Sequence, residues 1–193
     1  LSVDSAVVVT FDQPIVPLGA DPATLPIAFT LEPTAQGRGE WINTSTYIFY
    51  PEPALAGGQA YKAVLNPDLR SVAGTVLADV SSWAFSTALP RLLKISPSTE
   101  IPLPLDLEMT LTFNQPMDAA SVEANFSLLG DEGGLSGVFE WAEDFRSVTF
   151  IADQLLARNN SYRFALSGST LAQGGTALES AWDVEMISSP NFA

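Results

Sequence analysis

Two closely similar phrases, TLTFNQPMD at residues 110–118 and VTFDQPIVP at residues 9–17, decide the fold of this chain of 193 residues. In each phrase an alternating run ends in a phenylalanine, and a proline follows three residues later. Alternation of apolar and polar residues is typical of a half-buried β-strand, and proline interrupts strand pairing because it has no N–H donor. We therefore predict that Phe11 and Phe113 each fill a core at the end of a strand, and that the prolines end those strands.

Period-two alternation covers most of the chain. Apolar residues take every second position from 107 to 113, and turn residues interrupt the pattern at short intervals. Many short strands separated by proline and glycine turns predict an all-β chain built as an antiparallel β-sandwich. Helical periodicity is weak. The predicted exceptions are two short helical turns at 21–25 and 118–125, each of which begins with an aspartate able to cap it.

The second half of the chain repeats the first half in order. Chance does not easily produce ordered matches whose spacing drifts by only a residue or two, so we predict two copies of one sandwich domain. The matched segments, first copy before second, are Phe11–Pro14 with Phe113–Pro116, Trp41 with Trp141, Tyr47 and Phe49 with Val148 and Phe150, Tyr61–Leu65 with Tyr162–Leu166, Gly74–Leu77 with Gly175–Leu178, and Trp83 and Phe85 with Val184 and Met186.

The two copies are expected to meet near residues 86–94. Pro90 lies there, and proline is disfavoured inside a sheet. We predict domains at residues 1–89 and 90–193. The second copy opens with a plausible first strand at 91–98 that has no counterpart in the first copy. The first domain is therefore expected to lack its first strand, which we expect to belong to preceding sequence.

Composition excludes several classes of function. The net charge is −14, from 8 basic and 22 acidic residues, and such a surface repels the phosphates of nucleic acids. No apolar run approaches the roughly 18 residues that suggest a transmembrane helix, so we expect no membrane insertion by this segment. The chain has neither cysteine nor histidine. This absence removes disulfides, thiol catalysis, Ser-His-Asp triads and zinc sites with cysteine or histidine ligands. We expect no cofactor and no metal.

Two acidic stretches, 130–134 and 140–145, are the first candidate site. Paired carboxylates serve glycoside hydrolysis or bind calcium. Neither stretch has the alternating ligand pattern of a calcium loop, and exposed acids are the default in hairpins of an acidic protein. We therefore predict no catalytic or metal-binding residue among them. Their acidic side chains are Asp131, Glu132, Glu140, Glu143 and Asp144.

The four tryptophans are the second candidate site, since flat aromatic rings can stack on sugars. Trp41 and Trp141 recur at equivalent positions, which favours packing inside the sandwich. Trp182 has no evident mate and is the best candidate for a surface ring. The serines lack a base, because Lys62 should point outward by strand parity and Lys94 lies near the domain boundary. We predict no nucleophile and no enzyme.

These motifs resemble a known family. The phrase LTFNQPMD, the hairpin YIFYPEPALAGGQAY and the strand WAFST resemble the bacterial Ig-like domain called Big_5 or SbsA-type. The resemblance covers nearly the whole chain and implies two tandem Ig-like antiparallel β-sandwich domains. The stretch at 39–61 further resembles the N-terminal region of bacterial alpha-2-macroglobulin-like proteins, which are large secreted or lipid-anchored protease inhibitors.

The resemblance implies a non-catalytic structural and interaction module of a large bacterial envelope protein. The first reading is an alpha-2-macroglobulin-like protease inhibitor, and the alternative is a module of an adhesin, an S-layer or a polysaccharide-binding surface protein. The thioester of the inhibitor family needs a cysteine, which this chain lacks. The expected partners are other domains of the same polypeptide, a protease or another protein. The expected location is extracellular, periplasmic or on the cell surface.

Overall fold

A computed structural model describes residues 1–76 and 82–190 of the chain. The chain divides into two compact units, unit 1 at Leu1–Ala88 and unit 2 at Leu89–Ala193, and each has its own hydrophobic core. No helix in the described residues is long and apolar enough to cross a lipid bilayer. The predicted match at Leu77 and the end of the predicted second domain at 191–193 lie outside the described residues.

Unit 1 contains two antiparallel sheets. Its strands are β1 (Val7–Thr10), β2 (Phe29–Glu32), β3 (Gly37–Trp41), β4 (Thr46–Pro51), β5 (Ala60–Leu65) and β6 (Ser82–Ser86). Over the described residues one sheet has the order β1-β4-β3 and the other has the order β2-β5-β6. Side chains from both sheets, such as Tyr47 on β4 and Phe29 on β2, meet in one buried cluster. This arrangement confirms the prediction of an all-β sandwich for the first copy.

Unit 2 repeats this plan with additional strands. Its strands are β7 (Leu92–Ser96), β8 (Glu108–Phe113), β9 (Phe126–Gly130), β10 (Gly133–Gly134), β11 (Gly137–Trp141), β12 (Ser147–Ala152), β13 (Ser161–Leu166) and β14 (Trp182–Ile187). The sheet orders are β11-β12-β8-β7 and β10-β9-β13-β14. The strands β8, β12 and β11 correspond to β1, β4 and β3, and the strands β9, β13 and β14 correspond to β2, β5 and β6.

Strand β8 shows why the alternating sequence folds in this way. Met109, Leu111 and Phe113 are all at most 2% exposed, whereas Glu108 on the other face is exposed. Burial of one such side chain contributes about 1.5–3 kcal/mol of hydrophobic free energy. The face assigned from the alternation at 107–113 is therefore confirmed.

The two predicted helical turns are also confirmed. A 3-10 turn at Pro22–Thr24 follows Asp21, whose carboxylate accepts a hydrogen bond from the backbone N–H of Ala23. The helix α1 (Ala119–Asn125) follows Asp118, whose Oδ1 accepts from the backbone N–H of Ser121 at 2.7 Å. Both aspartates satisfy a donor that the first turn leaves unpaired.

The repeat is confirmed in strand register and in side-chain hydrogen bonds. Tyr61 pairs with Phe85 on β6, and Tyr162 pairs with Met186 on β14, as the matched segments predict. The Tyr61 hydroxyl accepts a hydrogen bond from the N–H of residue 56 at 3.1 Å. The Tyr162 hydroxyl accepts the equivalent bond from the N–H of residue 157 at 2.9 Å. Both copies therefore anchor the loop before this strand in the same way.

Both strands end before the prolines expected to end them. β1 stops four residues before Pro14, and β8 stops three residues before Pro116. The proline carbonyls accept hydrogen bonds instead, from the N–H of Val72 at 2.8 Å and from the N–H of Gln173 at 3.1 Å. Each proline therefore belongs to a corner that docks on a later turn, and the predicted role as a strand terminator is wrong in detail.

The two phenylalanines of the repeated phrase differ in burial. Phe113 is 2% exposed, as predicted, because Leu92 on β7 lies opposite it in the sheet. Phe11 is only half-buried and packs against Trp41 with ring centroids 5.8 Å apart. In the described residues of unit 1 no strand pairs with the matching side of β1. Phe11 therefore packs against the core of unit 1, as predicted, but is not fully buried as Phe113 is.

Candidate interaction surfaces

The two acidic stretches lie at opposite ends of β11. Asp131 and Glu132 lie in the turn between β9 and β10, ahead of β11, and Glu143 and Asp144 lie in the turn that follows β11. Five strand residues span about 16 Å, so the two turns lie far apart and do not form one site. Glu140 lies on the strand itself, and all five side chains are exposed. In residues 1–76 and 82–190 no three acidic side chains lie close enough to hold a metal ion.

Trp41 and Trp141 close equivalent strands and pack on equivalent cores, which confirms the predicted packing. Each is half-buried and lies against its own core cluster. The Trp41 indole N–H donates to the carbonyl oxygen of Pro26 at 2.8 Å, and the Trp141 indole N–H donates to Oε1 of Glu123 at 2.9 Å. Both rings therefore take part in packing and hydrogen bonding within their own unit.

Trp182 does not stand on the surface as expected. It lies opposite Leu166 in the sheet, is half-buried and packs against the core of unit 2. Trp83 is likewise half-buried and lies 5.2 Å from the ring of Phe29. The expectation of a surface ring at residue 182 is corrected, because its strand position faces the core.

The basic side chains considered as bases are exposed. Lys62 points outward from β5, as strand parity predicts, and Lys94 is exposed on β7. The best-defined ion pair joins Arg163 to Asp183, with Nε–Oδ1 and Nη2–Oδ2 distances of 2.6 and 2.5 Å. The hydrogen bond from Arg163 lowers the pKa of the exposed Asp183 carboxyl below its ordinary value. This pair is a feature of the surface of β13 and β14.

The outer edge of β1 is one surface that the structure leaves open. In unit 2 the matching edge of β8 pairs with β7, where Leu92 lies opposite Phe113 and Ile95 lies opposite Leu111. Within the described residues β1 pairs only with β4. An open strand edge presents backbone N–H and C=O groups that another strand can bind.

A cleft between β2 and β3 is the second open surface. Its volume is about 530 Å³, and apolar side chains of both sheets form its walls, chiefly Phe29, Leu31, Tyr47 and Phe49. Ligand sites in proteins have volumes of about 300–1,000 Å³, so the cleft has the size of a binding site. Sequence reasoning missed it. The available signal was Gly39, which occupies the position that Phe139 takes in the second copy.

A family comparison accounts for this architecture. The model of the bacterial Ig-like domain matches the chain twice, at residues 1–87 and 89–183. The chain belongs to the bacterial Ig-like domain family. The first match lies within unit 1 and the second within unit 2, so each unit is one bacterial Ig-like domain. The predicted fold of two tandem Ig-like sandwiches is thereby confirmed. No curated protein matches the chain.

Solved structures show limited likeness to this chain. Escherichia coli alpha-2-macroglobulin, domains MG0-NIE-MG1, is 14% identical with a TM-score of 0.42, over 53% of this chain and 33% of that one. The surface layer protein SbsC, domains 1–6, is 21% identical with a TM-score of 0.39, over 52% of this chain and 14% of that one. Mycobacterium tuberculosis L,D-transpeptidase 1 is 18% identical with a TM-score of 0.34, over 46% of this chain and 38% of that one. The chain thus spans well under two thirds of each.

Proposed function

We propose that this chain is a non-catalytic structural and interaction module of a large bacterial envelope protein, in the first place an alpha-2-macroglobulin-like protease inhibitor. Its partners are other domains of the same polypeptide and, through them, a protease. The observation that carries the proposal is the tandem repetition of one bacterial Ig-like domain along nearly the whole chain. Repeated sandwiches of this kind space and orient other domains.

The side chains considered for catalysis support a role without chemistry. The acids of the two candidate stretches are exposed and separated by the length of β11. General acid–base pairs instead need environments that drive their pKa values apart. The tryptophans are used in packing, as are the tyrosines that anchor the loops. The tryptophans and tyrosines therefore have folding roles that need no substrate.

The stretch at 39–61 supports the inhibitor as the parent protein. Its resemblance to the N-terminal region of alpha-2-macroglobulin-like proteins runs through β3, β4 and the loop before β5. The open edge of β1 supports an interaction role, because a strand of a neighbouring domain can pair with it. The thioester chemistry of the inhibitor would belong to other parts of the polypeptide, since this chain has no cysteine.

The test uses the full-length polypeptide that contains this chain, first its sequence and then its activity against a protease. We expect a cysteine and glutamine thioester motif downstream, and we expect the purified polypeptide to protect a large protein substrate from trypsin. The chain of 193 residues alone is expected to give no protection. A parent without the thioester that assembles into a surface layer or binds a polysaccharide would replace the inhibitor with the alternative function. Turnover of a glycan substrate that Glu140→Gln abolishes would overturn the non-catalytic role.

A further inference from the structure

The cleft between β2 and β3 in unit 1 exists because small residues replace large ones at two matched positions. Unit 2 places Phe139 opposite Phe150, with ring centroids 5.2 Å apart, and Leu135 packs beside them against the core. Unit 1 has Gly39 opposite Phe49 and Ala35 in the loop between β2 and β3. The apolar walls are retained, and two of the side chains that fill the space in unit 2 are absent. Tyr47, which matches the smaller Val148, takes the part of this space next to Gly39.

Unit 2 also shows how a polypeptide segment occupies this side of the sandwich. Residues 133 and 134 pair with the edge of β9, and the N–H of Leu135 donates to the carbonyl of Leu128 at 2.8 Å. The matching carbonyl in unit 1 is that of Leu31, since Leu31 and Leu128 lie at equivalent ladder positions. Over the described residues β2 pairs only with β5, so this edge is open.

A tyrosine hydroxyl lies in the wall of the cleft. Tyr47 is 4% exposed and lines the cleft, and its hydroxyl lies where a side chain at Gly39 would begin, 1.8 Å from the ideal Cβ position. No described residue forms a hydrogen bond with this hydroxyl, whereas the hydroxyls of Tyr61 and Tyr162 each accept one. The hydroxyl is accessible from the cleft, so it offers a ligand one hydrogen-bond partner on an otherwise apolar wall.

We propose that this cleft binds an extended polypeptide segment that pairs with the edge of β2 and inserts one aromatic side chain bearing a polar atom, such as tyrosine. The N–H of the inserted residue donates to the carbonyl of Leu31, as Leu135 does to Leu128. The ring packs against Phe29 and Phe49, as Phe139 packs against Phe126 and Phe150 in unit 2, and its polar atom pairs with the Tyr47 hydroxyl. This site does not depend on which envelope protein contains the chain, so the inference goes beyond the proposed function.

The test uses a blocked pentapeptide, acetyl-Thr-Gly-Tyr-Gly-Thr-amide, titrated into the intact chain and followed by amide chemical shifts. We expect saturable shifts at Gly37, Gly39 and Thr30. One added hydrogen bond contributes about 0.5–1.5 kcal/mol, so the tyrosine peptide should bind about 2- to 10-fold more tightly than its phenylalanine counterpart. The alanine peptide should not saturate.

Variants of the protein separate the two contacts. Tyr47→Phe should remove the preference for the tyrosine peptide over the phenylalanine peptide. The double variant Gly39→Phe/Tyr47→Val installs the unit 2 residues and should abolish binding of both peptides. A peptide with N-methylated tyrosine should bind at least several-fold more weakly, because it lacks the donor to Leu31.

Three outcomes overturn the proposal. One is the absence of saturation by the tyrosine peptide. Another is unchanged binding by the Gly39→Phe/Tyr47→Val variant. The third is para-cresol binding as tightly as the pentapeptide with no effect of N-methylation, which would make the cleft a site for small aromatic molecules. If the double variant does not fold, Tyr47→Phe and the N-methylated peptide still decide between these results.

Discussion

The strand pairs β5–β6 of unit 1 and β13–β14 of unit 2 have the same register but exchange their large and small side chains. Ala63 lies opposite Trp83 in unit 1, whereas Phe164 lies opposite Val184 in unit 2. The large ring comes from β6 in one unit and from β13 in the other. In both units it meets an aromatic ring of the remaining strand, Phe29 on β2 or Phe126 on β9.

Each cross-strand pair thus combines one large and one small side chain, although the residue type at each position differs between the two units. The Trp83 ring lies 5.2 Å from Phe29, and the Phe164 ring lies 5.6 Å from Phe126 at the equivalent place. Cores tolerate exchange of apolar residues when total volume is kept, and they are destabilised when it is not. The two units therefore share the backbone register of this strand pair but not its residue types. Substitutions at the pair test how much the total side-chain volume contributes to stability.

The largest effect is expected from Trp83→Val, which removes the large member of the pair in unit 1. The variant leaves a cavity beside Phe29 and should lose about 3 kcal/mol of unfolding free energy. Adding Ala63→Phe to it should restore part of that loss, because the double variant carries the unit 2 pair. Urea unfolding followed by unit 1 amide resonances measures both changes.

The matched control is Ala63→Phe alone, which overpacks a fully buried site and should cost about 1–3 kcal/mol. A double variant whose loss equals the sum of the two single losses would show that the pair is not coupled. The proposed exchange of volume between the units would then be wrong.

A second effect concerns a buried hydroxyl that both units share. Thr87 Oγ1 accepts from the N–H of Gln59 at 3.0 Å, and Ser188 Oγ accepts from the N–H of Asn160 at 2.9 Å. Each hydroxyl also donates at 2.5 Å to a carbonyl of the preceding loop. Thr87→Val and Ser188→Ala should each cost about 2 kcal/mol in thermal unfolding, because they leave buried groups unpaired. Thr87→Ser and Ser188→Thr are the controls, and equal losses for control and test would contradict the role of the hydroxyl.

A smaller effect is expected at the turn before β5 and β13. Gly58 has φ 64° and Asn159 has φ 49°, a left-handed conformation that both residue types tolerate. Gly58→Asn should therefore change the melting temperature little, whereas Gly58→Val should cost about 1–2 kcal/mol. If the valine variant is as stable as the asparagine variant, residue 58 does not need the left-handed conformation, and the prediction is wrong.

The smallest effect appears only at high pH. Burial raises the pKa of Tyr47 above its ordinary value of 10.0. The folded chain holds this proton more tightly than the unfolded chain, so the unfolding free energy should fall as pH rises above 10. Tyr47→Phe should lack this part of the loss. Absorbance titration of tyrosinate in both proteins gives the pKa, and an ordinary value at Tyr47 would contradict its burial.

Sequence predicted the features that rest on local pattern. The alternation at 107–113 gave the buried face of β8, because a strand with one buried face must alternate. The matched segments gave the equivalent positions of Tyr61 and Tyr162 on their strands. The aspartates at 21 and 118 gave the helix starts. Each of these depends on residues that are near one another in the chain.

Features that depend on a neighbouring strand were not predicted. The half-burial of Phe11 follows from an edge position that no local pattern records. The ring of Trp182 faces the core because of its partner strand, and the acidic turns are separated because β11 lies between them. The cleft was visible only as Gly39 aligned with Phe139, and its meaning required the sheet geometry.

The open edge of β1 has a consequence for the behaviour of the chain in solution. The strand is VVVT, with Val8 exposed, and it contains none of the lysines or prolines that commonly protect an edge. Exposed Asp4 and Asp12 flank it, in a chain of net charge −14. Repulsion between copies therefore opposes edge-to-edge stacking, and salt weakens that repulsion because screening shortens its range to about 8 Å at physiological ionic strength. We therefore expect added salt to promote association of the isolated chain through the open edge of β1.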